Sequence, residues 1–147
     1  MNEKDEKRLL HEICRNSGMG REAIGQVLKE VYDEEFAYEL HVEAGKMKEF
    51  EEKANDRLNL YHKGSAGAKP AAGKMLKTAV KMKTAFSDRT AHIADMMQKG
   101  NRRGADELKK AIHKYKDAGI YATELAREMV DFEEENLKKL EAWKREP

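Results

Sequence analysis

Very little in this sequence interrupts a helix. Two prolines in 147 residues leave long segments without an obligate break. No run shows the alternation of β-branched and aromatic residues with polar ones that a half-buried strand requires. Sheet-based folds are thereby excluded, and so is a phosphate loop that follows a strand. No apolar run approaches the ~20 residues needed to span a bilayer, so no membrane partner is expected. The opening Met1-Asn2-Glu3-Lys4-Asp5-Glu6-Lys7-Arg8 has charges of both signs and no apolar core after it, so no signal peptide is expected. Cys14 is the single cysteine, which rules out an internal disulfide. Net charge is only +1 with acids and bases interspersed, whereas a nucleic-acid binder usually shows clustered Lys and Arg. A cytoplasmic protein with no nucleic-acid partner is the expectation.

What remains favours helix. Apolar and charged residues each make up 39%, too apolar for a disordered chain, and Ala, Leu, Glu, Lys, Met and Arg are all good helix formers. The expected class is all-α. A first segment, about 4 to 32, carries the stripe Leu9, Leu10, Ile13, Ile24, Val27, Leu28 and Val31, spaced as one helical face. Its middle, Asn16-Ser17-Gly18-Met19-Gly20, either breaks the helix or lets a neighbour approach closely. Asp33 is placed to cap the next helix. The second segment, about 34 to 62, has the stripe Phe36, Leu40, Met47, Ala54, Leu58 and Tyr61, with Glu43 near it.

Residues 64–73 contain three glycines and Pro70 and read as the one clear loop. The third segment starts about Lys74 and continues past a kink or break near Gly100 to about Gly119. Its stripe includes Met75, Ala79, Met82, Phe86, Ile93 and Met96, then Leu108 and Ile112. The last, about 120 to 144, is expected to bury Ile120, Leu125, Met129, Phe132, Leu140 and Trp143. The run Glu133-Glu134-Glu135 reads as solvated, the methionines as core filler, and Cys14 as buried and inert. A weak repeat pairs Gly20, Ile24, Leu28 and Phe36 with Gly104, Leu108, Ile112 and Ile120, 84 residues on. Each half is then a helical hairpin, 4–62 and 74–144, and two hairpins make one antiparallel four-helix-bundle domain over 1–147.

Several pieces carry a resemblance. They are Ser17-Gly18-Met19-Gly20 ahead of Ile24, Lys81-Met82-Lys83-Thr84, Asp88-Arg89-Thr90-Ala91-His92-Ile93-Ala94-Asp95-Met96, residues 100–104, and 131–140. Together they resemble a family of uncharacterised bacterial proteins classed as ferritin-like helical bundles. The resemblance implies a four-helix bundle and no activity. Ferritin-like connectivity has a long crossover between the second and third helices. A second segment of about 44 Å cannot be spanned by ten loop residues reaching about 33–36 Å, so up-down-up-down connectivity is expected instead.

A ferritin-like di-iron centre takes a Glu from two helices and a Glu-x-x-His from each of the other two. Three residues before His11, His41, His62, His92 and His113 stand Arg8, Tyr38, Asn59, Arg89 and Lys110, so that pattern is missing. A reduced site for Fe, Mn or Zn remains, with Asp88 and His92 at i, i+4 and Glu43, Glu124 or Glu128 completing it. The leading expectation is a non-enzymatic helical bundle with an interaction or structural role and no catalytic residues or cofactor. Its partner would be an unknown protein or a second copy. The alternative is a metal-binding ferritin-like protein with that reduced carboxylate/histidine site.

Overall fold

The computed structural model describes residues 1–61 and 89–144. Four helices make up this part: α1 (Glu3–Leu28), α2 (Glu34–Asn59), α3 (Arg89–Lys114) and α4 (Ile120–Lys144). The fold is an all-α four-helix bundle.

Local chemistry sets the ends. The Asn2 side chain accepts the Asp5 amide, 3.1 Å, and Glu3, Asp5 and Glu6 occupy the first turn of α1, where the helix dipole favours acids. Asp33 caps α2 as its position predicts, accepting the amides of Glu35 and Phe36 at 2.9 and 3.0 Å. Between α3 and α4 the chain turns at Gly119, whose φ of +92° suits a residue without Cβ. The Met1 side chain lies against that glycine, and the Asn2 amide donates to the Asp117 carbonyl, 2.7 Å. The start of α1 is thus tied to the α3–α4 turn.

Two apolar clusters fix the helix directions. One joins Leu9, Leu10 and Ile13 of early α1 to Phe50 and Leu58 of late α2, Leu108 of late α3, and Leu125 and Met129 of early α4. The other joins Ile24 and Val27 of late α1 to Phe36 and Leu40 of early α2, Ile93 and Met97 of early α3, and Leu140 of late α4. So α1 and α4 run one way and α2 and α3 the other. The helices pair as hairpins, α1 with α2 and α3 with α4.

The order is therefore up-down-down-up, and the expected alternation does not hold. The end of α2 and the start of α3 lie at opposite ends of a bundle whose helices are about 39 Å long. Ten loop residues would not reach that far. The 27 residues from 62 to 88 cover about 40 Å at helical rise and more when extended. The expected loop 64–73 and the stripe from Met75 to Phe86 lie outside the described residues.

Neither glycine-rich stretch breaks its helix. α1 continues through Gly18 and Gly20, and α3 through Gly100 and Gly104, so of the kink or break expected near Gly100 the break is excluded. Packing outweighs the roughly 1 kcal/mol that each glycine costs relative to Ala. The small residues admit neighbours instead: Gly20 lies under Met47 and Gly104 under Glu133. The repeat pairs these two glycines, so an α1–α2 contact recurs between α3 and α4. It fails at Ile120, expected in the core but 84% exposed, because the register at the start of α4 turns that residue outward. No helix among the described residues is long and apolar enough to cross a membrane.

Candidate functional site

Between the two apolar clusters the bundle has a polar waist. The stripe of each helix is interrupted at one level: Asn16 and Ser17 on α1, Glu43 on α2, Asn101 on α3, Glu133 and Asn136 on α4. Glu43, Asn101, Glu133 and Asn136 are 2–5% exposed, so their polar atoms have left water. Ser17 solves this within its own helix, donating to the Ile13 carbonyl at 2.6 Å. Gln98, one turn from the waist, is also satisfied. Its Nε2 donates to the Leu137 carbonyl, 2.8 Å, and to Glu141, 2.9 Å, and its Oε1 accepts from Lys144, 2.9 Å.

The waist itself is not satisfied. The Nδ2 atoms of Asn101 and Asn136 are buried and donate to nothing. A cavity of about 80 Å³ lies between α1, α2, α3 and α4, lined by Asn16, Glu43, Asn101 and Glu133 with Met47 and Met97. Burial raises the Glu43 carboxyl to about 7, because ionising it would leave a charge out of water. Asn101 and Lys139 moderate that rise and Glu39 adds to it. Asn101 sits close enough to exert this pull, yet its Nδ2 makes no bond of good geometry. Burial raises Glu133 further, to about 9, with the charges of Glu43 and Glu107 acting in the same direction. At neutral pH Glu133 holds its proton and Glu43 is near its midpoint. The arrangement can store protons, hold water, or take up a small ion in exchange for protons.

Gly104 makes room for this. A Cβ there would collide with the Glu133 carboxyl and stand 2.7 Å from Asn16 Oδ1. Gly25, Gly45 and Gly100 have nothing within 4 Å of that point. Ala at any of those three is expected to stabilise the bundle by about 0.5–1 kcal/mol. Gly104→Ala should instead destabilise it by about 1–3 kcal/mol, since a carboxyl must be displaced from a packed site. Urea unfolding of the four variants checks this; a stabilised Gly104→Ala would show that the Glu133 seat is not constrained.

Of the residues expected to bind metal, only Glu43 lies in the waist. His92 is exposed near the start of α3, and Glu124 and Glu128 are exposed on the first half of α4. Glu124 pairs with Arg127 at 3.2 Å. From their positions along antiparallel α3 and α4, His92 and Glu124 are about 27 Å apart along the bundle axis. The structure does not bring them together. Asp88 lies outside the described residues. Among those described, no group of three or more His, Cys, Asp and Glu could hold a metal ion.

Glu133, Asn101 and Asn136 were not singled out by sequence. The reading of Glu133 as solvated is overturned by its 2% exposure; Glu134 faces out to Lys109, 2.5 Å away. The signal was present: Glu133 falls four residues after Met129 and seven before Leu140, on the buried stripe. Cys14 is buried as expected. Comparisons with protein-family models, with curated proteins and with solved structures returned no match.

Proposed function

We propose that this chain is a non-enzymatic, cytoplasmic helical-bundle protein with an interaction or structural role, engaging a protein partner or a second copy. The observation that carries this reading is the size of the cavity that the two perturbed acids, Glu43 and Glu133, line together. About 80 Å³ accommodates water or one ion, whereas pockets for organic ligands run to several hundred Å³. The test is oxygen uptake with Fe(II), alongside light scattering across concentration. No uptake above buffer is expected. Catalysed uptake would overturn the reading.

A second reading, a metal-binding ferritin-like protein with a divergent site, draws support from two features. One crossover between α2 and α3 is the ferritin-like connectivity. Glu133 and Asn136 also have the i, i+3 spacing of Glu-x-x-His, with an amide in place of the imidazole. The donors fit a dinuclear iron centre poorly, because such a centre uses four carboxylates and two imidazoles and the waist offers two carboxyls and amides. They suit a single cation content with oxygen ligands, Mn before Fe or Zn. Glu43 and Glu133 would hold it, and would give up protons to do so. Metal analysis of untagged protein decides: stoichiometric metal lost in the Glu43→Gln, Glu133→Gln double variant would establish this reading, and no metal above background at pH 8 would end it.

A further inference from the structure

Contact between α2 and α4 is the least extensive of the substantial helix contacts. It leaves an open cavity of about 190 Å³ on the side of the waist away from Gly104. Leu40, Phe132 and Leu140 give this seam apolar lining, and Tyr38 and Val42 form its outer wall, 71% and 51% exposed. An apolar trough alone names no guest; the polar groups along it do.

Asn136 lines the seam at 4% exposure, and its Nδ2 has no acceptor. Lys139 stands three residues on, on the same face of α4, exposed and without an ion pair to a described residue. Two donors one turn apart, one of them cationic, therefore face the trough. Two acids also border it, and Glu39 keeps its negative charge there. Glu39 accepts from Trp143 Nε1, 3.1 Å, and Glu43 lies at the inner end, where burial favours its protonated form.

We propose that the α2–α4 seam binds a small aliphatic monocarboxylate. Its carboxylate is received by Lys139 Nζ and Asn136 Nδ2, and its chain lies on Leu40, Phe132 and Leu140. The carboxylate supplies the acceptor that the buried amide lacks, and its charge is opposite to that of the rim lysine. A primary amine of the same length could pair only with Glu39 at the rim, and would leave the Asn136 amide without an acceptor beside the Lys139 charge. A zwitterionic amino acid would bring an ammonium into the same place. The proposal needs no metal in the waist, and Glu43 is the residue that the two cavities share.

Saturation-transfer NMR at pH 6 tests the assignment, with hexanoate as probe and hexylamine and leucine as comparisons. Hexanoate is expected to bind saturably, and the other two not to. Lys139→Met should weaken hexanoate at least about tenfold through loss of a charge-assisted hydrogen bond. Lys138→Met, also exposed on α4, should leave it unchanged. Circular dichroism confirms that both surface variants are folded. The proposal is overturned if hexanoate does not saturate, if Lys139→Met binds it as well as the parent chain does, or if hexylamine binds as tightly.

Discussion

Raising the pH from 5 to 8 is expected to lower the unfolding temperature of this protein by about 10 °C or more. The cause is the pair of acids in the waist. An unfolded chain releases the protons of Glu43 and Glu133 near 4.5. The folded chain holds them until about 7 and about 9. Below 4.5 both states are protonated and nothing is lost. Between 4.5 and 7 the folded state binds two more protons than the unfolded one, so stability falls by about 1.4 kcal/mol per pH unit for each group. From 7 to 9 only Glu133 continues the loss, and above 9 the curve flattens. Glu133→Gln replaces a protonated carboxyl by a neutral group of the same shape. It should add a few kcal/mol at pH 8, add nothing at pH 4, and roughly halve the slope between. Thermal unfolding by circular dichroism across pH 4–9 measures all three. A parent curve that is flat or rises between pH 5 and 8, or a Glu133→Gln variant with the parent's slope, would falsify this account.

Arg57→Ala should cost about 3–5 kcal/mol in chemical denaturation. Glu6 has no exposed surface although it lies only four residues into α1. Arg57 Nε donates to one of its oxygens at 2.6 Å and the Tyr61 hydroxyl donates to the other. The Arg57 guanidinium also lies over the Tyr121 ring, 5.3 Å from its centre. This one side chain therefore connects α1, α2 and α4. Removing it leaves a buried carboxylate with a single neutral donor, which is the costly way to break a buried pair. Replacing both partners by leucine should recover most of the loss, because neither charge then needs solvation. Equal stability of Arg57→Ala and the parent chain would mean that Glu6 finds water or another partner once the arginine is gone.

How far the sequence revealed this structure depended on whether a residue follows the spacing or the chemistry expected of it. Leu9, Ile13, Ile24, Phe36, Leu40, Leu58 and Met129 fall on apolar helical stripes and all are buried. Asp33 announced its own cap. Connectivity was not legible, because periodicity does not say which end of a helix meets which; only contacts such as Phe36 with Trp143, rings 5.0 Å apart, show that α2 begins where α4 ends. The waist was half legible. Glu43 stood out as one acid between Leu40 and Met47. Glu133 was hidden in a run of three acids, and charge runs usually face water. Asn101 and Asn136 drew no notice, since an asparagine on a helix signals little until its burial is known. His92 and Glu124 drew notice for their residue type, but side-chain type carries no information about height along the bundle.

The waist has one more consequence, which concerns register. Two uniformly apolar helix faces can slide past one another by a turn and still bury the same kind of surface. Here a slide of α3 by one turn, about 5.4 Å, would carry Asn101 into the company of Ile24, Phe36 and Leu40, or put Met97 in the place of Asn101. Either mismatch strands polar atoms in an apolar layer, at a cost far above that of misplacing one methyl group. The four interruptions therefore index the helices against each other, and the bundle has one alignment where an all-leucine version would have several.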